Sequence, residues 1–430
     1  MKTLLALLLV SASAAGCGSR TDAPSAVRFD AHGSVALDAV IDAGRAVVSR
    51  PEAARGEIAR QLFYAIGQLN GVNAGAEMQR VQINVVTATQ RADGLYDAFY
   101  TARLFVAWPR ESPIPHAYTV VLPSGGDTRS LSAFFQRYGT TKRCLDDTAV
   151  DVNIDNIWYW YRPLKPGCTL TWAQQSDLGT RVAMRLQVSA ANTENKYPEY
   201  GKVWEDGRLT ATAIFSKNKE FAQNENDEGV VAYRSFYSDL VVAFGRPTAT
   251  SLPGNATPGL AHPKLALAFE TPSGPLDVHV FLVESLSHAL ERDAVFVDSY
   301  GKRTLSSDFV AYSGHSGFGA NVQRLSTSGR FTPGKYQIFL LNGCDSFAYV
   351  DTALRDAHHA ANPSATPHKY YDVITNAMPS FFHMNATATM AVLRALVGKQ
   401  KTYRQLLGDF DPKQRATVMG EEDNTWPAPF

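Results

Sequence analysis

Apolar residues along this chain follow two rhythms, and the change between them divides it. Over 51–70, Ile58, Leu62, Ile66 and Leu69 recur every three or four positions, with Pro51 ahead and Gly71 behind, which predicts one helix with a single buried stripe. The period then falls to two. Val81, Ile83 and Val85 alternate with polar residues, Arg91, Ala92, Asp93 and Gly94 read as a turn, and 96–108 and 118–122 are aromatic and β-branched runs. Alternation of this kind predicts strands with one face on a core. Segments 156–161, 181–189, 209–215 and 230–244 have the same strand-rich character. A helix followed by strands in no regular alternation predicts an α+β, strand-rich domain over 28–245.

Between 246 and 263 lie four prolines and two glycines with few apolar residues, the composition of a linker. Past it, over 264–430, the rhythm becomes strand, helix, strand. Runs at 276–284, 309–312, 336–341 and 372–375 are short and largely apolar, and 285–291, 320–325 and 386–397 carry helical spacing. Strands apolar on both sides need cover on both sides. This half is therefore expected to be an α/β domain, a mostly parallel sheet with helices on both faces.

Charge and cysteine usage narrow the setting. Lys plus Arg and Asp plus Glu both number 41, so no basic field exists to hold nucleic acid. Residues 1–16 run from Lys2 through an apolar stretch at 4–10 to small residues at 11–16, the layout of a cleavable export signal. That apolar stretch is far short of the ~20 residues that span a bilayer. Ala14, Ala15 and Gly16 before Cys17 resemble the bacterial lipobox, although Ala14 stands where that motif usually has Leu. The resemblance implies an exported lipoprotein of the cell envelope, periplasmic or surface-facing, anchored to a membrane by a lipid on Cys17, with the small polar residues of 17–27 as tether. In an oxidising compartment Cys144 and Cys168, 24 residues apart in one aromatic-rich stretch, are expected to pair as a disulfide. Cys344 is left over, either a small core residue or a reactive thiol.

Its surroundings favour chemistry. The strand at 309–312 runs into Ser313, Gly314 and His315, and the strand at 336–341 runs into Asn342, Gly343 and Cys344. In an open parallel sheet reactive groups collect where strands end at their carboxyl edge. The 29 residues from His315 to Cys344 are about one crossover long, so both side chains are expected at the same edge. An imidazole there takes the thiol proton as the sulfur attacks, and a glycine before the cysteine allows the sharp turn that aims backbone N–H groups at an oxyanion.

The two strand ends, Ser-Gly-His-Ser-Gly and Leu-Leu-Asn-Gly-Cys-Asp-Ser, resemble the histidine and cysteine blocks of the caspase, gingipain, legumain and separase group of cysteine peptidases. The resemblance covers roughly 264–410. It implies a caspase–haemoglobinase fold, peptide or protein substrates, no cofactor, His315 as general acid and base, and Cys344 as nucleophile. It further implies that Gly314 and Gly343 shape the turns, with the Gly343 and Cys344 N–H groups near the oxyanion. Ser316 departs from the pattern, which usually has glycine directly after the histidine. The competing expectation is a catalytically inactive scaffold of the same fold, acting as an envelope binding or structural lipoprotein.

Other chemistry finds less support. Trp158, Tyr159, Trp160 and Tyr161 suit a sugar or peptide platform but more often form core. His358, His359, His368 and His383 match no metal-ligand spacing, and no metal site is expected. A Gly-x-Ser-x-Gly elbow, a phosphate loop and a dinucleotide fingerprint are all missing from the sequence.

Overall fold

The computed structural model describes residues 34–141, 143–168, 170, 178–189 and 196–420, so the expected signal and tether, with Cys17, lie outside the described residues. The fold is mixed α/β with two sheets. The first holds β1 (Ser34–Val48), β2 (Gly75–Gln90), β3 (Tyr96–Pro109), β4 (Ala117–Pro123) and β5 (Gly179–Val188), in the order β2-β3-β1-β5-β4 with antiparallel neighbours. Helix α1 (Ala54–Asn70) buries Ile58, Leu62, Ile66 and Leu69, the stripe its spacing predicts. Helix α2 (Thr128–Tyr138), capped by the Asp127 carboxylate on the Arg129 and Ser130 amides, follows β4.

The run at 156–161 is not a strand. Ile157–Trp160 forms a short helix, α3, whose rings pack inward: Trp158 against Phe63 and Tyr349, and Tyr161 against Tyr64 and Phe134. Aromatic content marks burial here, and only the pairing partners distinguish helix from strand. The turn that carries α3 is closed by a disulfide between Cys144 and Cys168, with Cα atoms 4.6 Å apart. Backbone bonds from Asp146 to Trp160 and from Arg162 to Cys144, both 2.7 Å, complete it.

The second sheet is eight-stranded and mixed. In chain order, after the short helix α4 (Tyr200–Val203), it contains β6 (Leu209–Ser216), helix α5 (Glu228–Phe244), β7 (Ala249–Thr250), β8 (Lys264–Thr271) and β9 (Gly274–Val283). Helices α6 (Leu286–Arg292) and α7 (Ala294–Thr304) lead to β10 (Phe309–Ser313), and α8 (Ala320–Ser328) leads to β11 (Gln337–Asn342). Helices α9 (Ser346–Tyr349) and α10 (Ala353–Ala361) precede β12 (Tyr371–Asn376). Helices α11 (Asn385–Gly398) and α12 (Tyr403–Leu407) then bring the chain to β13 (Ala416–Met419). The order is β13-β12-β11-β10-β6-β9-β8-β7. Parallel pairs join β12, β11, β10, β6 and β9, and antiparallel pairs attach β13 at one edge and β8 and β7 at the other.

Two expectations need correction. Residues 230–244 were expected as strand on their β-branched and aromatic content, yet they lie in α5. Val230, Tyr233, Phe236 and Leu240 are its buried positions, at helical spacing, and Asp227 caps the Gly229 and Val230 amides. Nor does 246–263 separate the two sheets. Strand β6 sits at the centre of the second sheet although it precedes that segment, which is a surface connection from α5 to β8 bearing the two residues of β7.

Strand alternation supplies both faces of this sheet with core. Ile338 and Leu340 of β11 join one cluster with Phe236 of α5 and Leu393 of α11, while Phe339 and Leu341 join the other with Leu325 of α8 and Leu354 of α10. That second cluster continues without a break into Leu37, Leu62 and Leu104 of the first layer. The first sheet therefore packs as cover over one end of the second, with Phe105 of β3 edge-on to Phe347 of α9. No helix among the described residues is long and apolar enough to cross a membrane.

The disulfide closes a 24-residue separation, for which loop-closure entropy gives about 3 kcal/mol. Replacing both cysteines, Cys144→Ser with Cys168→Ser, should lower the unfolding free energy by about that amount. Urea titration followed by tryptophan fluorescence measures it, and an unchanged midpoint would refute the estimate.

Candidate active site

The chain enters the second sheet at β6, moves to β9 on one side, and then returns to β10 on the other. The reversal between β6 and β10 is a topological switch point, where loops part and leave a crevice at the carboxyl ends of the strands. Asn218 follows β6 there and His315 follows β10. Because β10 and β11 pair in parallel with Ser313 opposite Asn342, His315 and Cys344 stand at the same offset beyond adjoining strand ends. The two turns touch: Ser316 Oγ donates to the Cys344 carbonyl at 2.5 Å, and the Gly314 N–H donates to the Asn342 carbonyl at 3.1 Å.

Both glycines are required by this closeness. A Cβ on Gly314 would lie 1.9 Å from Ser216 Oγ, and one on Gly343 would lie 2.5 Å from Ser316 Oγ and 3.0 Å from the Gly314 carbonyl. Their expected turn role fits this packing. The oxyanion role expected of the Gly343 N–H does not, because that group donates to the Leu341 carbonyl at 3.1 Å. Among the described residues the Cys344 amide donates to no carbonyl.

His315 is exposed, and its Nε2 lies 2.9 Å from the Asn218 carbonyl and 3.1 Å from Asn218 Oδ1. A carbonyl only accepts, so Nε2 carries a proton, and in the neutral ring the lone pair is on Nδ1. The ring is held from the side by Phe382, with centroids 4.9 Å apart. The Cys344 thiol donates to the Ser380 carbonyl at 3.2 Å. Imidazole and sulfur therefore meet the same three-residue stretch, Ser380 to Phe382. Burial, and then the neighbouring Asp345 carboxylate, push the Cys344 thiol up to about 11, against smaller opposing effects of the Ser380 and Cys344 backbone. At neutral pH the resting sulfur is a protonated thiol.

Beneath the turns lies a polar network with no counterpart in the sequence reading. Asn342 Oδ1 accepts from Asn376 Nδ2 at 2.7 Å, Gln414 Nε2 at 2.8 Å and Ser380 Oγ at 3.0 Å. Its Nδ2 donates to Asn385 Oδ1 at 3.1 Å and to Ser313 Oγ at 3.2 Å. One buried amide thus ties the ends of β10, β11 and β12 to α11 and to the loop that holds the thiol. A lone Asn, Ser or Gln carries no sequence signal for such a role.

Asp345 is the second unforeseen residue. It takes a left-handed backbone, φ 49°, directly after Cys344, and is buried. Its Oδ2 accepts from the Tyr159 hydroxyl of α3 at 2.8 Å, and its Oδ1 has no partner among the described residues. Burial raises the carboxyl to about 7, with the Tyr159 hydrogen bond and the Arg162 charge working the other way. The aromatic run at 158–161 is thus core and interlayer contact, not an open platform.

The histidines considered for metal go elsewhere. His358 is buried on α10 against Phe331, Phe339 and Tyr371, where burial lowers its imidazole to about 3, and His359 and His383 are exposed. No group of three or more candidate ligands gathers among the described residues. Comparison with protein-family models finds no match, and neither does comparison with curated proteins or with solved structures.

Two measurements probe this base. Asn342→Leu removes the acceptor that Asn376, Gln414 and Ser380 share and the donor to Asn385, and should cost on the order of 3 kcal/mol in urea unfolding; a loss within error would mean the network carries little. For Asp345 the folded carboxyl holds its proton up to about 7 while an unfolded one releases it near the ordinary 3.8. The native state then binds the extra proton across that window, so stability falls as pH rises from about 4 to about 7. Asp345→Asn should flatten this part of the pH–stability curve, and an unaltered slope would assign it to other groups.

Proposed function

We propose that the protein is an exported, lipid-anchored hydrolase of the caspase–haemoglobinase type, in which Cys344 attacks a peptide carbonyl and His315 moves the protons. One observation carries the reading. His315 and Cys344 occupy matching offsets beyond adjoining parallel strands, and the imidazole is held through Nε2 on Asn218, which leaves Nδ1 as the base. The parallel centre of the second sheet, covered by helices on both faces, agrees with that fold.

In this mechanism Nδ1 takes the Sγ proton as the sulfur adds to the carbonyl carbon. The oxyanion is met by the Cys344 amide. The imidazolium returns the proton to the leaving amine as the C–N bond breaks, and water then hydrolyses the thioester to free Cys344. A thiol held near 11 starts as the neutral acid, so removal of its proton accompanies attack and does not precede it. Cys17, as the acylated residue, would keep the enzyme on a membrane of the cell envelope.

A specific observation favours a second reading. The protonated, hydrogen-bonded thiol also suits a scaffold that has no reaction to perform. Substrate-like reagents separate the two. Peptidyl acyloxymethyl ketones at pH 7 should alkylate Cys344 at least ~100-fold faster in the native protein than in His315→Ala. Iodoacetamide, which has no peptidyl portion to seat at the site and reacts with whatever thiolate is present, should label both slowly at pH 7 and faster towards pH 11. Equal ketone labelling of the two proteins, measured by mass spectrometry, would leave the inactive scaffold standing.

A further inference from the structure

Among the described residues four phenylalanines are exposed, and three of them lie on the loops after β6, β10 and β12: Phe221 at 59%, Phe381 at 51% and Phe318 at 44%. Each belongs to a loop that holds the dyad. Phe221 lies three residues after Asn218, the anchor of the imidazole, Phe318 lies three after His315, and Phe381 directly follows Ser380, the acceptor of the thiol. Scattered single exposed apolar residues need no explanation, but three on the loops that carry one dyad do.

Two of these residues are also held in strained backbone. Phe221 has φ 59° and Phe318 has φ 50°, a left-handed conformation that is an outlier for a bulky side chain and costs on the order of 1 kcal/mol or more. Glycine would relieve it at both places, and Gly317 and Gly319 flank Phe318. Strain maintained to present a phenyl ring to solvent points to something the ring must meet. Phe318 does not float: its ring is edge-on to Tyr159 at 5.7 Å and to Trp160 at 6.4 Å, so helix α3 supports it from behind. Phe381 is stacked on His383 at 5.9 Å, and Phe221 lies edge-on to His288 at 5.3 Å.

Part of the charge on these loops is spent internally. Asp227 and Glu284 accept from loop amides after β6, Lys217 is paired with Glu284, and Asp345 is buried under Tyr159. Lys219 and Glu220, between Asn218 and Phe221, are exposed, whereas the rings in contact with Phe318 are the uncharged ones of Tyr159 and Trp160.

We propose that these phenylalanines form an aromatic rim that selects an apolar side chain beside the scissile bond, with Phe318 as the main specificity-determining residue. This rests on the peptidase reading above. The substrate residue donating the scissile carbonyl is a large apolar one, such as Phe or Leu, and it packs on the face of Phe318.

The test uses the full chain and internally quenched peptides of one sequence, varied at that residue among Phe, Leu, Ala, Asp and Arg. The expected kcat/KM for Phe and Leu exceeds that for Asp and Arg by roughly tenfold or more. Phe318→Ala should lower the Phe and Leu values by about tenfold while sparing the Ala peptide, and Phe318→Leu should recover most of the loss. Preference for Asp or Arg would overturn the rim and leave the peptidase reading intact. Failure to cut any peptide, together with equal ketone labelling of native and His315→Ala proteins, would overturn both. A Phe318→Ala variant that releases the protein from phosphatidylglycerol vesicles yet keeps every kcat/KM ratio would also overturn the proposal, because the rim would then be a membrane-facing surface.

Discussion

Parallel pairing of β10 with β11, in the register that sets Ser313 against Asn342, is the constraint on which the rest of the site depends. Parallel neighbours end on the same edge, so the turns that follow are forced side by side. A slip of one residue would turn Cys344 to the other face, since side chains alternate along a strand. The register is pinned twice. Apolar residues of both strands feed cores on opposite faces, and the Asn342 amide joins Ser313 on one side to Asn376 and Gln414 on the other. Every hydrogen-bonding site on that amide that is filled ties down a different element, which converts a packed sheet into a positioned crevice.

The crevice is not the property of the second sheet alone. Helix α3, carried on the disulfide-closed turn of the first layer, reaches Asp345 through Tyr159, Tyr349 through Trp158 and Phe318 through Tyr159 and Trp160. The two layers share one continuous apolar cluster, so the first sheet acts as a brace on the loops after β10 and β11. That brace has a cost. Asp345 is buried with one oxygen unpartnered and a raised pKa, and Cys344 is held as a neutral thiol. Burial that orders these loops also opposes charge within them.

Local signals were legible where one element sufficed to write them. The stripe of α1, the strands ending at Ser313 and Asn342, and the helix over 386–397 all follow from spacing along a single segment. Cys144 and Cys168 were close in sequence and shared one stretch, and they pair. Content without partners misled: residues 156–161 and 230–244 are rich in aromatic and β-branched types, yet both form helices. For the second of these a usable signal existed, Asp227 as N-cap before a buried stripe at helical spacing. The Pro- and Gly-rich segment at 246–263 marked a surface connection correctly but not a division between layers, because β6 had already joined the second sheet.

By itself the sequence determined that two apolar strands would end in Gly-His and Gly-Cys, for those are facts of adjacent residues and of the hydrophobic alternation that buries a strand. Only the tertiary structure decided that Asn218 from β6 would hold the imidazole, that Ser380 after β12 would hold the thiol, that Gly343 would spend its N–H on Leu341, and that Asn342 would bind the whole edge together. Each of these joins groups far apart in the chain. Their partners are chosen by strand order and register, which come from the packing of all the elements at once and leave no mark at any single position.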